Sequence, residues 1–115
     1  MNIQIIASAD IGSFIGATKD SYVVITLDDT VDIDLGDTLS GTFDGSGELF
    51  YRVRNLTKRE DVGICLESWD CTDAGAVESL LSMIKSPCKV HTTRGSYVSD
   101  SHDIASQLVR DIGAH

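Results

Sequence analysis

Short runs alternating apolar with polar residues fill the first 67 or so positions, and two longer runs at helical spacing fill much of the remainder. Residues 2–8, NIQIIAS, are rich in β-branched side chains and run into Asp10, Ile11 and Gly12, which predicts a first strand. Residues 11–18 hold Gly12 and Gly16 and predict a loop, with Phe14 and Ile15 folding back onto the core. Residues 21–27, SYVVITL, are apolar on both faces and predict a central, covered strand. Val31, Ile33 and Leu35 then alternate strictly with Asp32 and Asp34. From Leu35 to Trp69 the pattern predicts three consecutive antiparallel strands, at residues 38–43, 48–54 and 61–67. Asp44, Gly45, Ser46 and Gly47 make the first connecting turn, and residues 55–60 the second.

Three strands that each present one apolar face need a cover. Ala76, Val77, Leu80, Leu81 and Ile84 form a stripe at helical spacing and predict a helix over residues 73–85, capped by Asp70 or Thr72 and stopped by Ser86 and Pro87. Residues 88–93 predict another short strand. A second helix follows, with Ile104, Ala105, Leu108, Val109 and Ile112 on one face, a cap at Ser99, Asp100 or Ser101, and an end at Gly113. Trp69, the single tryptophan, stands where the last of the three strands hands over to the helix. It is expected to plug sheet against helix; left exposed, it would be an interface anchor.

The fold class is therefore α+β in one domain, residues 1–115. About five antiparallel strands form a sheet or small β-barrel, covered by two amphipathic helices in the C-terminal half. In strand order alone this resembles an OB-like or SH3-like barrel, a likeness that carries no functional residue across.

Charge sharpens the picture. The net charge is −9, and residues 1–50 hold nine carboxylates against one base, Lys19. An acidic half repels phosphates and anionic membrane surfaces and attracts basic partners. Five of those carboxylates, Asp28, Asp29, Asp32, Asp34 and Asp37, lie within ten residues and must be solvated or matched by positive groups. The three cysteines are odd in number and irregularly spaced, as suits reduced thiols in the cytoplasm. The N-terminus lacks the basic start of a signal peptide, and no apolar stretch is long enough to span a membrane. Asn55, Leu56 and Thr57 spell a glycosylation sequon, read here as a turn.

Several constellations of residues bear on chemistry. The aspartates lack the distal ligand of a calcium loop and read as a solvated acidic edge. Cys65, Cys71, Cys88 and His91 are weak candidates for a metal, without zinc-finger spacing, and no cofactor is implied. Ser101, His102 and Asp103 stand in a row, but a catalytic triad is assembled in space and not in sequence. Phe50, Arg52 and Arg54 would share one face of a strand, a combination that small barrels use to stack single strands. The leading expectation is a non-enzymatic acidic protein-binding domain of the inhibitor, immunity-protein or DNA-mimic kind. Its binding residues would be Asp28, Asp29, Asp32, Asp34, Asp37, Phe50, Arg52 and Arg54, facing a protein with a basic surface. A barrel that binds nucleic acid or a small ligand through Phe50, Arg52 and Arg54 stands second, and a metal- or thiol-dependent enzyme third. A second copy of the chain is a further candidate partner.

Overall fold

Strand β1 (Asn2–Ala9) buries Ile3, Ile5, Ile6, Ala7 and Ala9, a set that a strict two-residue period cannot place on one face. A bulge resolves the conflict. β1 pairs antiparallel with β2 (Ser13–Ala17), and the register slips between Ile5 and Ala7. The extra residue, Ile6, reverses the parity of everything after it. Ile3 and Ile5 enter one core; Ile6, Ala7 and Ala9 enter another.

The computed structural model describes residues 1–42 and 50–114. After β2 the chain forms β3 (Tyr22–Leu27), β4 (Thr38–Ser40), β5 (Phe50–Asn55) and β6 (Glu60–Cys71). The order β1-β2-β3-β6-β5-β4 returns to β1, where Ile3 pairs with Leu39, so six antiparallel strands close into a barrel. Its interior is filled by Ile3, Ile5, Phe14, Val23, Ile25, Leu39, Val62 and Ile64. Closure leaves these strands without open edges.

The second core lies outside the barrel. Helix α1 (Asp73–Ser82) lays Ala76, Val77 and Leu80 on the outward-facing Ile6, Ile15 and Val24. Beyond its bulge β1 pairs with β7 (Lys89–Thr92), which pairs in turn with β8 (Ser96–Val98). Helix α2 (Ile104–Gly113) covers this extension with Leu108 and Ile112. One buried carboxylate ties it down: Asp111 Oδ2 accepts from Thr92 Oγ1 at 2.7 Å and from the Tyr97 hydroxyl at 2.6 Å.

The α+β class and the helical cover agree with the sequence pattern, but the strand inventory is richer than about five. Residues 13–17 are a fully buried strand and not a loop. The two glycines that signal a loop act separately. Gly12, at φ 81°, makes the turn, while Gly16 lets β2 approach β1. Residues 31–35 form no strand: Val31, Ile33 and Leu35 do face the barrel core, yet no neighbouring strand pairs with them. β8 is too short to signal itself. β6 runs on to Cys71, and α1 ends at Ser82, well short of Pro87, where Met83 and Ile84 tighten into bonds to Leu80 and Leu81. Thr72 caps α1, its hydroxyl accepting from Gly75 N at 3.0 Å. α2 starts instead at Asp103, in a left-handed conformation and without a side-chain cap. Trp69 is 44% exposed and does not plug sheet to helix. The first expected hairpin turn, with Phe43, Glu48 and Leu49, lies outside the described residues.

A Cβ at Gly16 would collide with Ile3 Cγ2 and press on Val23 Cγ2 at 3.3 Å, both inside the barrel. Gly16→Ala is therefore expected to lower unfolding free energy by about 1–3 kcal/mol, as overpacking a closed core does. Urea titration measures this, and an unchanged midpoint would mean that β1 and β2 do not approach so closely.

Candidate protein-binding surface

The acidic segment leaves β3 at Leu27 and reaches β4 at Thr38, sealing one end of the barrel with Val31, Ile33 and Leu35. Its start is moored on Gly63 of β6. Asp28 N donates to Gly63 O at 2.9 Å, and Gly63 N donates to Asp29 Oδ2 at 3.1 Å. A carboxylate here takes the place of a strand partner, and a Cβ at Gly63 would sit 3.1 Å from Asp28 O. Asp29 Oδ1 also accepts from Thr30 N at 2.7 Å. The bonds from Gly63 and Thr30, with Arg52 behind them, hold the Asp29 carboxyl below the usual carboxylate range.

The far end is held by a buried polar knot. Asp37 is 3% exposed, and Asn55, opposite it, is fully buried. Asp37 Oδ2 accepts from Asp34 N and from Asn55 Nδ2, both at 2.9 Å, and lies 3.4 Å from Lys58 Nζ. Burial opposes the Asp37 charge, but these donors outweigh it and the carboxyl stays low. Asn55 Oδ1 meanwhile accepts from Thr57 N and Lys58 N, folding the turn that delivers Lys58. Lys58 Nζ then reaches Asp34 Oδ2 at 2.7 Å and Asp32 O at 3.0 Å. The segment also bonds to β1, through Gly36 N to Ile5 O and Ile5 N to Asp37 O.

The expected binding residues thus divide. Asp37 is interior and structural. Asp29 is half-buried against Gly63, and Asp28, Asp32 and Asp34 remain exposed on a fixed backbone. Phe50, Arg52 and Arg54 do share one face of β5, paired in order with Cys65, Gly63 and Asp61 of β6. Phe50 is 63% exposed. Arg52 lies 3.7 Å from Asp29 and Arg54 3.2 Å from Asp61, so both guanidinium groups have carboxylates of their own chain. The acidic segment and this face adjoin through Gly63, and Glu67, bonded to Thr26, extends the negative charge along β6.

The sequence pattern does not mark Asn55 as an organiser. The signal was present in the side chain of Asn55 followed by a polar turn, but its partner Asp37 is far away in sequence. The metal candidates are dispersed. Cys65 and Cys71 lie on β6, whereas His91 is on β7 and Cys88 just before it, with three strands between β6 and β7 in either direction round the sheet. Among the described residues no group of three or more His, Cys, Asp or Glu side chains is placed to hold a metal. Burial, aided by Glu67 and Asp28, pushes the Cys65 thiol up, and burial with Asp70 does the same to Cys71, so both are poor thiolates. No helix of the described residues is long and apolar enough to cross a membrane.

Asn55→Ala removes the amide donor to Asp37 and the acceptor that shapes the turn. It is expected to cost about 1–3 kcal/mol, the usual penalty for leaving a buried group unmatched, measurable by urea unfolding. The low carboxyls of Asp37 and Asp29 predict an acid limb. Their stabilisation is complete above the unfolded-state value of about 4 and is lost as pH falls through the lower folded-state values. Asp37→Asn should flatten the fall in urea midpoint below about pH 4; parallel limbs for wild type and variant would contradict this.

No protein-family model, no curated protein and no solved structure matches this chain, so the use of the surface is read from its own geometry.

Proposed function

We propose that this is a protein-binding domain whose acidic segment, with Phe50 beside it, engages a basic surface on a partner protein. The observation that carries the reading is the fixing of the segment. Asp28 and Asp32 are held out to solvent, with Asp34 between them and β4 and paired with Lys58, by backbone anchored at Gly63, Lys58 and Ile5. A pre-organised row of charges meets its partner without further ordering, and electrostatic complementarity speeds the encounter. Phe50 supplies an exposed aromatic of the kind that anchors interface centres. Binding at this surface involves no chemical step. An inhibitor, an immunity protein or a mimic of DNA phosphates would work in this way. Nucleic acid is the lesser reading for the same face, because Arg52 and Arg54 already lie against Asp29 and Asp61.

The test is capture from a lysate of the native host at low salt, identification by mass spectrometry, and kinetics on the purified pair. The expected partner has a basic surface, and its association rate falls steeply with added salt. Asp28→Asn, Asp32→Asn and Asp34→Asn together are expected to weaken binding by about tenfold or more. Association indifferent to salt and to the triple variant would refute the reading. Tight binding of single-stranded oligonucleotides would favour the nucleic-acid alternative instead.

A further inference from the structure

Away from the acidic segment, the structure assembles three residues that the sequence keeps apart. His91 Nε2 lies 2.8 Å from Asp10 Oδ1, and His91 Nδ1 lies 2.7 Å from Ser96 Oγ. The topology explains the meeting. Ser8 of β1 pairs with His91, and Asp10 continues the ladder, its N–H donating to Lys89 O at 3.0 Å. The bulge at Ile6 has already turned Ser8 and Asp10 to the side of the sheet away from the helices. On the other side His91 pairs with Ser96 in the β7–β8 hairpin. Bonds from Thr92 N to Gly95 O and from Ser99 N to Cys88 O make this a non-hydrogen-bonded pair, the kind whose side chains stand closest.

For the neutral imidazole the bonding places the proton. An ionised carboxylate only accepts, so Asp10 requires the hydrogen on Nε2. Nδ1 is then left with its lone pair, and the Ser96 hydroxyl donates to it. A hydroxyl donating to an imidazole that is oriented by a carboxylate is the arrangement of a general-base-activated nucleophile, here with the two ring nitrogens in exchanged roles. Ser96 is exposed, and β8 is the last strand of the sheet. In its non-hydrogen-bonded pair, the Ser96 N–H is directed away from β7 towards the open edge. There it can donate to an oxygen that becomes negative as Ser96 Oγ attacks. Val98, two residues on and on the same face, offers an apolar contact and is 43% exposed.

We propose that Ser96 is a nucleophile for acyl transfer, with His91 as its base and Asp10 as the positioning residue, acting on esters with a small apolar acyl group. In the first step Ser96 Oγ bonds to the carbonyl carbon and its proton passes to His91 Nδ1. The carbon–oxygen bond to the alkoxide then breaks, and the alkoxide leaves as an alcohol with that proton. Water repeats the sequence: its proton passes to Nδ1 as its oxygen bonds to the acyl carbon. The bond to Ser96 Oγ breaks, Oγ recovers the proton, and the carboxylic acid departs. Esters suit the site better than amides, because an alkoxide leaves readily and the edge provides one backbone donor. This activity stands apart from partner binding by the acidic segment and survives or fails independently of it.

The experiment uses the whole folded chain with a fluorophosphonate probe and with p-nitrophenyl butyrate, read by intact mass and peptide mapping. A single adduct on Ser96 is expected, absent from Ser96→Ala and from the heat-denatured chain. Asp10→Asn, checked for an unchanged melting temperature, should slow labelling by about a hundredfold, and Asp10→Glu should restore part of the rate. His91→Gln serves as a second variant with the same expectation. No adduct on Ser96, or a Ser96 adduct that forms equally fast in Asp10→Asn and His91→Gln, would overturn the proposal.

Discussion

The fold depends on one strand serving two cores. β1 has neighbours on both edges, β2 along one, and β4 then β7 along the other. A regular strand would aim its alternate residues at a single core throughout its length. The bulge at Ile6 breaks that rule at the point where β4 ends and β7 begins. Before it, β1 closes the barrel with Ile3 and Ile5. After it, β1 carries Ala7 and Ala9 beneath the helices.

Each core is then secured by a buried carboxylate. Asp37 holds the acidic segment over the barrel mouth, and Asp111 holds α2 on the β7–β8 hairpin. A buried aspartate without partners would be strongly destabilising, and both are fully matched by hydroxyl, amide or ammonium donors. Among the described residues no buried side-chain polar atom lacks a partner. Such groups specify geometry more than they add stability, because only one arrangement satisfies them. The Asp111 carboxylate also raises the Tyr97 hydroxyl above its ordinary range, keeping it a donor.

The distribution of charge follows from this division. Carboxylates concentrated in ten residues would repel one another on a free strand. Here one is buried against Asn55 and Lys58, another is turned into backbone bonds at Gly63, and three are spaced along a fixed loop facing water. Lys58 bridges the interior Asp37 and the exposed Asp34, Arg52 lies against Asp29, and Arg54 pairs outside the segment with Asp61. What remains exposed is a negative rim with an aromatic, Phe50, at its side, and it is on this rim that the proposed binding rests.

The sequence by itself determined the α+β class, the covered centre at β3, both helices and a cap for the first at Asp70 or Thr72, because these rest on local periodicity and on bonds within a few residues. It also determined which faces Val31, Ile33 and Leu35 would bury, since alternation alone sets that. Tertiary structure decided the rest. β2 was hidden because its glycine reads as a breaker until Ile3 is seen packed against it. The segment from Val31 to Leu35 has a strand's pattern without a strand's neighbour, a matter of which edges were already taken. Asp37 became interior only through Asn55 and Lys58, eighteen and more positions onward. Asp10 joined His91 and Ser96 only because a bulge reversed the parity of one strand. Contacts between distant residues depend on register and closure, and neither is written in any local stretch of the chain.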